Sequence, residues 1–510
     1  MLKAVIDLGS NSVRLVVYQQ GPHGTQKEVD NLKQVVRLSN HINREGRISD
    51  EGIRITVHVL RQFKQLCEAY EVEEVICVAT QAVRIAKNRE ELVERIYRET
   101  GIPVRILSGE EEARYGYLAV VNTIPLEEAL TVDVGGGSTE ITYFKDRKVL
   151  EKISIPYGGV NATKEFLQGD PPTSKEMKRL ERTLLTELEK YPWTAGRRCP
   201  VIGMGGAART IAKIHQAQRQ YPLSILHAYQ MWPYEVTGIL ELLLSTPLTK
   251  RKEMGGLSAD RADIIIAGAA ILDLVVRRAE ANQFILSNKG LRDGILMEEV
   301  LKAKNEELLS DMLLHSIENN LDHFHMNRAH AWRVACFSER LFTAMKEAGI
   351  HAFGKEELKW LKTAALLHDV GRSISIYDAS KHTFYLLLHA PLYGVTHRER
   401  VLIAAIASYK STKQVSTELS RYEEFLHEED LPLVIQLGVL LRFVRTLDRT
   451  ETGDIKEIEF IGGEKGGTIR VRAAEDSFLQ MELASEWVKK LSKAYHRDFS
   501  LEVNRDGIRE

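Results

Sequence analysis

Three glycine-rich turns, each following a short apolar run, mark the first half of the chain: DLGSNS (7–12), DVGGGS (133–138) and GMGG (203–206). Such turns let successive backbone N–H groups converge on an anion. The first two also carry an Asp and a Ser. Facing each other across a cleft, they would hold a phosphate chain, with Asp7 and Asp133 where Mg²⁺ bridges to phosphate oxygens. A single turn of this kind is usually only a turn whose Asp bonds its own backbone. Two of one pattern and a third beside them point to a phosphate site. Arg84, just after an apolar run, is placed to fork onto phosphate, and equally to be a solvated residue at a helix start. The segment SGEEEARYGY (108–117) supplies carboxylates at 110, 111 and 112. Ser108 would cap a helix there, and an acidic first turn suits the helix dipole. One of the three would then face the cleft and activate a water; spacing does not say which.

The elements that hold these groups occur twice. Residues 4–18 read AVIDLGSNSVRLVVY and 130–144 read LTVDVGGGSTEITYF. Each is an apolar strand, an Asp, a glycine turn, a Ser and a second strand. Asp7 matches Asp133, Gly9 matches Gly135 and Ser12 matches Ser138, which predicts two related α/β lobes headed by hairpins. Helices are expected over 53–70, 88–99, 174–190 and 261–278. Strands are expected over 72–80, 102–108, 200–206, running into a glycine turn, and 283–290, a crossover rhythm.

The composition excludes several classes. With 510 residues the chain is too long for one core, and its 44% hydrophobic and 27% charged content is that of a globular protein. A net charge of −2 excludes a strongly basic polyanion binder, so an anionic ligand needs a local site. The four cysteines form no CxxC pair, and the longest near-apolar run, 264–276, is too short to span a bilayer. A cytoplasmic protein with no membrane or nucleic-acid partner is expected. After 296 the composition changes, and ten of the sixteen histidines lie between His315 and His427. Helical patterns cover 328–348, 355–370 and 396–410, and strands return at 455–463, 467–474 and 499–503. The expected domains are 1–125 and 126–302, the two lobes; 303–455, all helical; and 456–510, a small α+β unit.

The runs D-L-G-S-N-S-V-R-L (7–15), A-T-Q-A-V-R (79–84), S-G-E-E-E-A-R (108–114), D-V-G-G-G-S-T-E (133–140), G-M-G-G (203–206), R-A-D-I-I (261–265) and G-L-R-D-G (290–294) resemble, in order, those of the exopolyphosphatase / guanosine pentaphosphate phosphohydrolase family. That family belongs to the actin-like ATPase and sugar kinase superfamily. The resemblance implies two actin-like (ribonuclease H-like) lobes with a phosphate-binding cleft, then an all-helical HD-like domain and a small α+β domain. It implies Glu112 as catalytic base, Asp133 and Glu140 around Mg²⁺ and the attacking water, and Arg84 on phosphate. Asp7, Asn11, Ser12 and Arg14 fall in the first phosphate hairpin, Gly135, Gly136 and Ser138 in the second, and Gly205 and Gly206 in the third turn. A monovalent cation such as K⁺ and a homodimer are further expectations. Gln81, Ala207 and Asp293 depart from the usual Ser, Thr and Glu.

In the helical part, His330 and His368-Asp369 look like the first elements of an HD-type metal site. Arg445 stands where the last carboxylate ligand is expected and would repel a metal, so an incomplete site is predicted. The expected activity is Mg²⁺-dependent, stepwise release of orthophosphate from the end of inorganic polyphosphate. Guanosine pentaphosphate hydrolysis on the same fold is the alternative. A non-catalytic polyphosphate or alarmone sensor and a sugar or acetate kinase are weaker readings, because Glu112, Asp133 and Glu140 are all present and no sugar-binding signature is seen.

Overall fold

A computed structural model describes residues 1–21, 24–474 and 477–505. The chain divides into two compact units, Met1–Met312 and Leu313–Glu510. The first contains two sheets. Strands β1 (Leu2–Leu8), β2 (Ser12–Gln20), β3 (Gln26–Val35), β4 (Glu74–Ala79) and β5 (Val104–Ile106) form one, in the order β3-β2-β1-β4-β5. Strands β6 (Glu128–Val134), β7 (Thr139–Lys145), β8 (Lys148–Ile155), β9 (Val201–Met204), β10 (Tyr229–Met231) and β11 (Phe284–Leu286) form the other, in the order β10-β11-β9-β6-β7-β8. Each sheet has three antiparallel strands followed by two parallel ones, and β10 adds an edge. The hairpins therefore occupy equivalent places, as the paired sequence pattern predicts. Strands β3 and β8 are not evident from sequence. β3 reads QKEVDNLKQV, and its side chains are exposed or half-buried along its length, so no alternation marks it.

The helices fall close to the expected segments: Asp50–Ala69, Arg89–Thr100, Ser174–Glu189 and Ile265–Arg278. The last is buried from Ile265 to Val276, which explains its near-continuous apolar sequence. Between the sheets lies a third layer made by helices Gly109–Val121 and Leu291–Lys304. It joins Val5 and Val78 of one sheet to Phe144, Ile202 and Ile285 of the other. Helix Leu291–Lys304 ends the second lobe in sequence and docks on the first, where Arg114 bonds Glu298 at 2.7 Å. The two helices meet at Gly294, where a Cβ would strike the Tyr115 carbonyl. This contact fixes the helix that carries Glu112 against the helix that carries Arg292.

The second unit is helical up to Leu447, followed by a sheet of β12 (Ile455–Gly463), β13 (Gly466–Ala473) and β14 (Asp498–Arg505), with helix Phe478–Tyr495 crossing between the last two. Its polar centre contains His330, His368 and Asp369, all buried, with ligand-type atoms within 4.8 Å of one another. The Nε2 atoms of His330 and His368 are 3.2 Å apart. Their Nδ1 atoms face acceptors at 2.7 Å, Asp448 for His330 and the Ala365 carbonyl for His368. Burial lowers the His368 pKa to about 4. Arg445 lies where the fourth ligand was expected and ion-pairs with Asp369, and Arg372 bonds the same carboxylate at 2.9 Å. Two guanidiniums already neutralise the one carboxylate, so the donor set does not fit a metal as it stands. Among the described residues, no helix is long and apolar enough to cross a membrane.

Gly294→Ala should lower stability by about 1–3 kcal/mol in urea unfolding, because the clash is with backbone. Arg445→Leu should cost about 3 kcal/mol by exposing Asp369 to an apolar, partly unpaired setting. Adding Asp369→Asn to Arg445→Leu should recover most of that loss.

Candidate active site

The two hairpins are built alike. Gly9 N–H donates to the Ser12 carbonyl at 3.1 Å, and Gly135 N–H donates to the Ser138 carbonyl at 2.9 Å. Asp7 pairs across the first hairpin with Arg14, and Asp133 across the second with Glu140. The same register thus places a guanidinium in one lobe and a carboxylate in the other. The hairpin tips abut: a Cβ on Gly136 would touch Ser10 and Asn11, and one on Gly137 would collide with the Gln81 amide. Gln81, the departure noted in the sequence, therefore sits at the second hairpin. Only glycine allows this approach. The third turn opens helix Gly205–Arg219, so its N–H groups point along a helix N-terminus into the cavity.

These turns line a cavity of about 180 Å³. Every sequence-predicted site residue lines it except Arg84: Asp7, Asn11, Ser12, Arg14, Glu112, Asp133, Gly135, Gly136, Ser138, Glu140, Gly205 and Gly206. The three glutamates of helix Gly109–Val121 part company. Glu110 is exposed and pairs with Lys152. Glu111 closes a capping box with Ser108. Glu112, 10% exposed, faces the cavity. Arg84 lies behind it, donating to the Leu107 carbonyl at 2.7 Å and to the Glu112 carboxylate. In this arrangement Arg84 positions Glu112 and does not reach the cavity.

Three further arginines line the cavity: Arg209, Arg261 and Arg292. Arg292 lies 3.6 Å from Asp7, and Arg209 donates to the Gly205 carbonyl at 3.0 Å. Arg261 covers Gly206, leaving no room for a Cβ there. Sequence reasoning gave these three no role. The signal for two of them was present, since they fall inside the quoted R-A-D and G-L-R-D-G runs. Arg209 could have been found from its i+4 spacing to Gly205 on a helix start.

The electrostatics are those of guanidiniums and carboxylates gathered in one cavity. Burial, then the charges of Arg292, Arg209 and Arg261, lowers the Arg14 pKa to about 10. Burial raises Asp133 to about 6 and also raises Asp7. Glu112 and Glu140 are both raised, first by burial; Glu140's charge adds to the effect on Glu112, and Asp133's charge to that on Glu140. Ser154 donates to Glu140 at 2.7 Å and holds it in place. Asp133, Glu140 and Asp7 offer the all-oxygen donors that a hard divalent cation takes; Glu140 is buried and the two aspartates are half-buried. Asn11 Oδ1 and Arg292 Nε are buried with no hydrogen-bond partner among the described residues, as groups reserved for a ligand would be.

The model of the Ppx/GppA phosphatase family matches residues 16–303, and that of Ppx/GppA phosphatase, domain III, matches residues 314–494. The crystal structure of the Aquifex aeolicus Ppx/GppA family member is similar at 35% identity and a TM-score of 0.53, over 59% of this chain and 98% of that one. An exopolyphosphatase from Cytophaga hutchinsonii shares the fold at 23% identity and a TM-score of 0.56, over 59% of this chain and 98% of its own. With a half-buried glutamate facing two opposed phosphate-type hairpins, and more than half of its length matched, this chain belongs to the Ppx/GppA phosphatase family.

Proposed function

We propose that the protein is an exopolyphosphatase that removes orthophosphate stepwise from the end of inorganic polyphosphate. The observation that carries this reading is the cavity lining: glycine-turn backbone, four guanidiniums and five carboxylates, with no aromatic side chain among the described residues to receive a base. Such a lining suits a bare phosphate chain better than a nucleotide. Asp133 and Glu140, with Asp7 beside them, would hold Mg²⁺, which would neutralise phosphate oxygens and polarise the bond to be broken.

The chain's own residues account for the rest. Arg14, Arg209, Arg261 and Arg292 balance the negative charge of the terminal phosphates and are relieved of mutual repulsion when it arrives. The Ser12 and Ser138 turns fix the chain in line. Glu112 takes a proton from water as the water oxygen bonds to the terminal phosphorus. The bond from that phosphorus to the bridging oxygen breaks, and the shortened chain leaves with the bonding pair. Arg84 keeps Glu112 aimed at the water and favours its ionised form.

Orthophosphate release measured with Mg²⁺ should be fast on long-chain polyphosphate and slow on guanosine pentaphosphate; the reverse order would assign the alarmone as substrate. Glu112→Gln should lower kcat by roughly 10²–10⁴. The acid limb of the kcat/KM profile should lie well above the ordinary carboxylate range, because burial and Glu140 raise Glu112. Arg84→Gln removes the favourable charge and should move that limb to higher pH by about one unit. Stability carries the opposite signature. A raised folded-state pKa means the folded chain keeps a proton that the unfolded chain has lost. Stability then falls as pH rises from the unfolded value through the folded one. Glu112→Gln removes that loss and should raise Tm relative to the parent at pH 8 but not at pH 4.

A further inference from the structure

The run D-R-A-D at 260–263 sets one cavity arginine beside two acids, neither of which lines the cavity. Asp260 and Asp263 flank Arg261, and both are bonded by the other lobe. Lys33 Nζ lies 2.7 Å from Asp260, and Arg37 lies 3.1 Å from Asp263 and donates to the Asp260 carbonyl at 3.4 Å. Lys33 is on β3, the edge strand that the sequence conceals, and Arg37 follows it in the left-handed region at φ +50°. Arg37 is held in that uncommon conformation by its own neighbours. The N–H groups of Val36 and Arg37 donate to the Asn11 carbonyl at 3.2 and 2.8 Å, and Ser39 N–H donates to the Ser10 carbonyl at 3.1 Å. Segment 33–39 therefore grips the first phosphate hairpin from behind while it extends two cations to the loop that seats Arg261 over Gly206.

We propose that Lys33, Arg37, Asp260 and Asp263 are positioning residues that form a clasp between the lobes, registering Arg261 against the first hairpin and setting how long the phosphate chain is retained. The clasp closes a path from the first hairpin, through Arg37 and Asp263, to the third turn. All four side chains are between a quarter and two-fifths exposed, so the clasp feels bulk salt. It touches neither Glu112 nor the water it activates. Loosening it should weaken retention and leave the chemical step nearly unchanged. The retention part rests on the phosphate-chain reading above; the clasp itself does not.

Charge exchange tests it. Lys33→Asp and Asp260→Lys each put like charges together at the surface, where the fold tolerates them, and the double variant restores an opposite pair. Each single variant should raise KM for long-chain polyphosphate 5- to 10-fold at low salt, with kcat within twofold of the parent. The double variant should return KM to within twofold. Hydrogen–deuterium exchange of segments 33–39 and 259–265, with no substrate present, should quicken in each single variant and recover in the double. Parent-like exchange in both single variants would overturn the clasp. A double variant that stays as defective as the singles would overturn the pairing of Lys33 with Asp260. If the parent hydrolyses neither substrate while exchange follows the predicted pattern, the clasp stands and the substrate reading falls.

Discussion

Like charges held together in one largely buried cavity are the constraint on which this molecule depends. Glu112, Glu140, Asp133 and Asp7 share one cavity with Arg14, Arg209, Arg261 and Arg292. Burial raises the pKa of all four acids, and burial followed by mutual repulsion weakens the hold of Arg14 on its proton. No small element could keep such a set in place. The helix layer between the sheets does so from one side, through the Gly294 contact that locks the Glu112 helix to the Arg292 helix. The glycine turns do so from the other, by letting backbone approach where any side chain would intrude. The destabilising arrangement is maintained because both lobes are committed to it, a common condition of catalytic clefts.

Much of this was legible in the sequence. The hairpins announced themselves because strand alternation and turn chemistry coincide, twice, with the same offset between Asp and Ser. Glu112 could not be separated from Glu110 and Glu111 by spacing, because all three fit an acidic first turn. The structure separates them by geometry: one caps, one pairs with Lys152 and one, half-buried, faces the cavity. Arg84 illustrates the opposite limit. Its position after a strand fitted a phosphate contact and a solvated helix start equally, whereas its guanidinium donates from behind to the Glu112 carboxylate, which faces the cavity. Tertiary placement of a long side chain is not encoded in local spacing. β3 was hidden for a different reason: an edge strand with polar residues on both faces has no period to detect.

The second unit shows the same logic with the charges exchanged. Two imidazoles and a carboxylate converge as if for a metal, and a guanidinium takes the place of the missing ligand and of the missing charge. Sequence reasoning anticipated the guanidinium at 445 but not the second one, Arg372, on the same carboxylate. Asp448 bonds the Nδ1 of His330 and the Ala365 carbonyl that of His368, so the cluster is a hydrogen-bonded polar core.

The central claim is that water, activated by Glu112, attacks the terminal phosphorus. Turnover of long-chain polyphosphate in ¹⁸O-water tests it most directly. The account predicts one solvent oxygen in each orthophosphate released, and none in the shortened chain. Label in the chain end would mean attack on the penultimate phosphorus and would contradict the placement of Glu112 and the hairpins at the terminal group.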